Sequence, residues 1–311
     1  MAIYAPAHQT NQPGLPGARN KPTDLKGSIF YAQDWGHMSY KPGIYDGVPN
    51  ADYHADPALG STSLKTLATR TPAHWKWERD NPVHKDVYDI GTLAHSLILE
   101  GDVSLHEVID VPDKLGNKWK IPANEAKAKG LIPITPKEWA GIVAMKDAVM
   151  AHPLARAAFT GHRAEASVFW EEDGLMLKCR PDAGQPYALI DLKTTRSADP
   201  NEFGKTAAEF GYHQSAAHYI DGVKAATGEE LPFHFVLVEK TEPYLVSVVE
   251  LDIEAINIGR QLNDRAKRIY RECVESNTWP GYPNADLISL PMWAIYRAEE
   301  LLGINQEPEF S

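Results

Sequence analysis

Apolar and polar positions alternate with a period of two in residues 175–182 (LMLKCRPD) and again, more apolar, in 188–194 (ALIDLKT). That period predicts two strands joined across a turn at Gly184 and Pro186, the first closed by Asp182 and the second by Asp191. Two further runs, 232–240 (PFHFVLVEK) and 244–252 (YLVSVVELD), carry the Val, Phe and Tyr that suit sheets and meet at a Glu242-Pro243 turn. Elsewhere the spacing lengthens to that of helices. Ser61 or Ser63 is expected to cap a short helix bearing Leu64 and Leu67, and Thr71-Pro72 opens the next, PAHWKWERD. Residues 87–100 set Ile90, Ala94, Leu97 and Ile98 on one stripe with His95 beside it. Thr135-Pro136-Lys137-Glu138 is a capping box that starts a helix reaching about His152-Pro153. Residues 201–227 read as one helix, and Asp252 caps a long amphipathic helix through Ile256, Leu262, Ile269 and Cys273.

Helices, then strands bearing acids, a helix, two more strands and a helix predict an α/β fold, a mixed sheet flanked by helices with an N-terminal helical cap. No clean linker interrupts residues 39–311, which are expected to form one domain. Residues 1–38, rich in Pro, Gly, Asn and Gln without an apolar period, read as a flexible arm.

Composition narrows the function. No run approaches the length of a membrane span and the N-terminus lacks the regions of a secretory signal, so no membrane partner and a cytoplasmic location are expected. Two cysteines, Cys179 and Cys273, supply neither a disulfide framework nor the four thiolates of an iron–sulfur cluster. The formal charge of −11 argues against a protein that merely coats nucleic acid, although an acidic chain can carry a basic channel.

The candidate chemistry lies where the first two strands end. Residues i and i+2 of a strand share a face, so Asp191 and Lys193 point one way while Ile190 and Leu192 point into a core. Asp182 ends the neighbouring strand, which can bring its carboxylate beside that of Asp191. Hard cations such as Mg²⁺ take oxygen ligands at about 2.0–2.1 Å, and the backbone carbonyl of Leu192 could add a third oxygen. A lysine two residues beyond the acid can hold and polarise the attacking water. Thr194 and Thr195, next along the chain, could donate to a phosphate. A surface hairpin with a solvated Asp/Lys pair would carry the same string, and His95 by spacing alone is an ordinary helix-face residue. Residues 113–130 (DKLGNKWKIPANEAKAKG) also allow two readings, a solvated loop or a basic segment whose Lys118 and Lys120 touch phosphates while Trp119 stacks on a frayed base.

Pro181-Asp182 and Asp191-Leu192-Lys193 have the layout of the PD-(D/E)xK nucleases. Several blocks in order resemble the exodeoxyribonuclease VIII (RecE-like) family of phage and prophage recombination nucleases: KPGIYDGVPNADYHA, STSLKTLATRTPAHW, GTLAHSLILEGD, EASVFWEEDGLMLKCRPD, LIDLKTT, YHQSAAHYIDG and WPGY, spanning roughly residues 41–282. The resemblance implies an exonuclease dependent on Mg²⁺, with Mn²⁺ as a substitute, that digests the 5′-ended strand of linear double-stranded DNA. The 3′ single strand left behind would pass to a single-strand annealing protein. It implies metal binding by His95 with Asp182 and Asp191, an acid at Glu165 beside the site, and a supporting helix with Gln214 and Tyr219. It also implies a ring-like homo-oligomer, which residues 114–129 could line with positive charge. One departure stands out: the family places a glutamine four residues before the helix tyrosine, whereas Gln214 lies five before Tyr219 and Ser215 takes the expected place. Either Gln214 swings round or Ser215 and His218 make the DNA contact. The same acids would also serve an endonuclease or a single-strand exonuclease, and a DNA-binding module with a lapsed site is the reading outside enzymes.

Overall fold

A computed structural model describes residues 40–82, 90–284 and 287–304; the expected arm at 1–38 lies outside them, as does the start of the stripe at 87–89. A short strand β1 (Gly43–Tyr45) leads into helices α1 (Asn50–Ala55), α2 (Ser61–Thr69), α3 (Pro72–Asp80) and α4 (Ile90–Leu99). Strand β2 (His106–Val108), helix α5 (Gly116–Ala128) and strand β3 (Ile132–Ile134) precede α6 (Pro136–Ala151) and α7 (Pro153–Ala158). Five strands follow: β4 (Arg163–Ala164), β5 (Ser167–Glu172), β6 (Leu175–Cys179), β7 (Ala183–Gln185) and β8 (Ala188–Thr195). Helices α8 (Pro200–Phe210) and α9 (Tyr212–Thr227) lead to β9 (Phe233–Glu239) and β10 (Val246–Glu250), then to α10 (Ile253–Ser276) and α11 (Met292–Leu302).

The main sheet has the order β10-β9-β8-β7-β4, with β8 and β9 parallel and the other pairs antiparallel. A parallel pair needs a crossover, which α8 and α9 supply. Alternation along β8 and β9 feeds both faces. Leu189, Phe235 and Leu237 enter a core shared with α2, α9 and α10, while Ile190, Leu192, Val236 and Val238 enter one shared with α4, α6 and α7. The outcome is the expected mixed sheet flanked by helices.

Local chemistry explains the boundaries. Thr71 caps α3 by accepting from the His74 amide, Thr135 and Glu138 form the reciprocal box at α6, and Asp252 accepts from the Ala255 amide at α10. Neither Ser61 nor Ser63 is a cap, because α2 begins at Ser61 itself after an extended Gly60. The helix expected over 201–227 is two helices, broken by Gly211 at φ 64, a left-handed conformation suited to glycine. The strand expected over 175–182 ends at Cys179. β6 belongs to a separate sheet, β1-β5-β6, and the chain crosses at Arg180–Asp182 into the main sheet, where β7 rather than β6 pairs with β8. Residues 116–128 are helical and not a loop. Pro122 removes one helical donor, yet Ala123 and Ala126 are buried, and the helix packs on β3. At the far end Trp279 stacks on Trp75 of α3, with ring centroids 4.9 Å apart. Among the described residues no helix is long and apolar enough to cross a membrane.

Candidate active site

β7 pairs with β8 only as far as Ala183 opposite Ile190, so from Asp191 onward that edge of β8 has no strand beside it. Asp182, one residue before β7, fills the gap with its side chain: the Leu192 amide donates to Asp182 Oδ2 at 2.6 Å. In an extended strand a residue's N–H and C=O face the same side. The Leu192 carbonyl is therefore presented to Asp182 as well. β4 continues the sheet beyond β7, and the Glu165 amide donates to the Asp182 carbonyl at 3.0 Å, with Glu165 itself at φ 44.

His95 comes from α4. Its Nδ1 lies 3.0 Å from the Gly91 carbonyl, which can only accept, so Nδ1 carries a proton and Nε2 is the atom turned to Asp182 Oδ2, 3.3 Å away. In neutral imidazole both facing atoms would present lone pairs, so a proton or a cation must sit between them. Without a metal the proton serves. Burial opposes the charged ring, but the Asp182 carboxylate outweighs it and the His95 pKa rises to about 9. Burial likewise works against ionised Asp182, yet His95, Lys193 and the Leu192 amide hold it below the usual carboxylate range.

Asp191, on the other face, is ion-paired to Lys193 through its buried Oδ2. Burial pushes Asp191 upward; Lys193 pulls against this and Asp182 adds to it. The two acids are thus driven apart in acidity, as in sites where neighbouring carboxyl groups take different roles. Burial disfavours the Lys193 charge, but Asp191 and Asp182 raise its pKa overall. Glu165 is raised by burial and then by Glu100 and Asp182, and its Oε2 lies 4.0 Å from Arg180 Nη1.

Two carboxylates, an imidazole and a backbone carbonyl suit a hard divalent cation. The 3.3 Å between Nε2 and Oδ2 is close to the roughly 3 Å separating adjacent octahedral ligands about 2.1 Å from an ion. Among the described residues no group of three or more His, Cys, Asp or Glu is already gathered to hold a metal, and Asp191 is paired with Lys193.

Other predicted residues separate. Tyr219 is packed on Phe233, and burial followed by nearby groups that include Asp191 and Asp182 raises its phenol well above the ordinary value. Gln214 does not swing toward the acids. It is buried, with Nε2 3.4 Å from Asn263 Oδ1 of α10. His218 lies in the interior rather than on a surface that DNA could reach: Nε2 is 2.9 Å from the Lys178 carbonyl, the ring packs on Trp170, and burial lowers its pKa to about 4. Ser215 Oγ meets Ser61 Oγ of α2 at 2.7 Å. Thr194 is half-buried at the end of β8, and the Thr195 hydroxyl donates to the Ser197 carbonyl at 3.0 Å. Lys118, Trp119 and Lys120 lie on α5.

Lys65 of α2 was not legible as a site residue, because a lone lysine in a helical stretch reads as solvated. Its Nζ lies 3.4 Å from the Phe210 carbonyl, and burial, then the Lys193 charge, lower its pKa against the pull of Asp191. Tyr212, whose ring centroid is 5.1 Å from Lys193 Nζ, was not legible either, because an aromatic residue in a helical stretch reads as packing.

The family model of the PDDEXK-like domain of unknown function (DUF3799) matches residues 61–290. Among solved structures, the chain is similar to one from Eubacterium rectale described as a candidate exonuclease, with TM-score 0.51 and 15% identity over 76% of this chain and 96% of that one. A phage related exonuclease from Haemophilus somnus 129PT aligns with TM-score 0.33 and 12% identity, over 71% of this chain and 96% of its own. An alkaline exonuclease from Laribacter hongkongensis gives 0.22 and 15%, over 67% and 98%. At these identities likeness speaks to fold, and the Eubacterium rectale structure is the one of these three similar enough to carry it. No curated protein sequence matches the chain.

Proposed function

The chain belongs to the PDDEXK-like family DUF3799, and on that premise we propose that it is a divalent-metal-dependent nuclease that hydrolyses DNA phosphodiester bonds. The observation that carries the reading is the facing pair of His95 Nε2 and Asp182 Oδ2, held 3.3 Å apart beside Asp191 and Lys193 at an open sheet edge. Asp182, His95 and, once it turns from Lys193, Asp191 would hold Mg²⁺ or Mn²⁺, with the Leu192 carbonyl on the same side. A bound divalent cation supplies Lewis-acid stabilisation of the attacking and leaving oxygens. The Leu192 amide keeps Asp182 in place. The Lys193 ammonium orients water and offsets the negative charge that builds on the phosphate, since its raised pKa suits a charge donor better than a base.

The finer reading is an exodeoxyribonuclease that removes the 5′-ended strand of linear duplex DNA and leaves a 3′ single strand for an annealing protein. It is supported by the ordered blocks that resemble the RecE-like family. The test is digestion of linear duplexes labelled at the 5′ or the 3′ end, with Mg²⁺, beside closed circular DNA. Early release of the 5′ label with the circle intact is expected. Release of the 3′ label first, or cutting of the circle, would overturn the polarity or the exonuclease reading.

A further inference from the structure

α5 holds a second concentration of chemistry, away from the acids. Lys114, Trp119, Lys120, Asn124 and Lys127, with Pro133, line a concave pocket of ≈ 360 Å³ floored by Ala123. Residues 120, 124 and 127 recur at helical spacing and share a face. Lys114 is tethered, its Nζ 2.7 Å from Glu138 Oε1 and 5.1 Å from the centroid of the Trp119 ring. Lys129 is paired to Glu107 at 3.2 Å. No ion pair engages Lys118, Lys120 or Lys127 among the described residues.

Ammonium groups that converge on one concavity repel one another until an anion joins them. A half-buried indole in the same wall adds a flat π-face, and Asn124 adds a donor and an acceptor. The volume sits at the low end of the roughly 300–1,000 Å³ of small-ligand sites, room for one nucleotide but not for a duplex. In a duplex the base faces are covered by stacking and only phosphates would be met; an aromatic platform contributes when the base is unstacked.

We propose that this pocket binds one nucleotide of single-stranded DNA, the base against Trp119 and the flanking phosphates against Lys120 and Lys127. The assignment deepens the nuclease reading, on which it rests, by placing a hold on the unpaired strand apart from the acids. Binding of a short fluorescein-labelled oligothymidylate in EDTA, followed by anisotropy, tests it without hydrolysis. Trp119→Ala should weaken binding about 5- to 150-fold with the salt dependence unchanged, and Trp119→Phe should restore most of it. The Lys120→Ala/Lys127→Ala variant, changed only at exposed side chains, should reduce the slope of log K against log salt by about 1.4. Trp119→Ala binding at the wild-type level, or losing as much affinity for a blunt duplex, would overturn the pocket. Mg²⁺-dependent hydrolysis of linear duplex by the wild-type protein is scored separately. Hydrolysis with Trp119-independent binding removes the pocket alone, whereas Trp119-dependent binding without hydrolysis upholds the pocket and removes the nuclease reading.

Discussion

Asp182 receives three segments at once: the Leu192 amide from β8, the His95 imidazole from α4 and, at its carbonyl, the Glu165 amide beside β4. An asparagine there would lower the charge that holds a cation and turn an amide group toward the Leu192 N–H. Asp182→Asn and Asp191→Asn are each expected to abolish cleavage with circular dichroism unchanged, and Lys193→Ala to keep calorimetric metal binding but lose turnover. Wild-type rates in either aspartate variant would remove the site. His95 gives a separate readout in metal-free protein. Its pKa is raised above the ordinary 6.5, so the stability it contributes is complete below that value and is lost as pH rises through about 9. The thermal midpoint of the wild type in EDTA should fall more steeply over that window than that of His95→Gln, and parallel curves would refute the pairing. The pairing of Asp191 with Lys193 on one side of β8 was legible because a period of two fixes which side chains share a strand face. The directions of Gln214, His218 and Lys65 were not, because the face a helical residue shows depends on what packs against it.

Among the elements, α9 approaches α10 on one side and β5 on another closely enough that two glycines matter for space rather than flexibility. A Cβ on Gly259 would lie 2.3 Å from the His213 carbonyl oxygen, and one on Gly222 would lie 2.5 Å from the Trp170 ring. Alanine in an exposed helix interior gains about 0.5–1 kcal/mol over glycine, but overpacking costs about 1–3 kcal/mol, and a backbone neighbour cannot rotate away. Gly259→Ala should therefore lower the urea midpoint, with a slope like that of the wild type. An unchanged or higher midpoint would mean that the helices can part freely. Caps written in sequence, at Thr71, Thr135 and Asp252, gave correct helix starts because their bonds are local. The switch of sheets between Cys179 and Ala183 was hidden, since alternation runs on through Asp182 while the strand's partner changes. α5 was hidden by Pro122, whose lost donor is offset by packing on β3.

For the whole molecule, a formal charge of −11 sets repulsion from DNA against a local surplus of five lysines over one glutamate at residues 114–129. Repeating that patch around a symmetry axis would make a continuous positive wall, and light scattering is expected to give a multiple of 34.5 kDa. A fully active particle of 34.5 kDa would dismiss the ring. β8 stands at the centre of the assembly because both cores share it, Leu189 on one side and Ile190 and Leu192 on the other. Strands so enclosed release their amide protons to solvent only when the whole domain opens. The Leu192 amide differs from its two chain neighbours, since its acceptor is a side-chain carboxylate and not a neighbouring strand. Deuterium uptake at that one position would therefore follow the state of Asp182, quickening when the carboxylate is drawn away while the amides on either side stay silent.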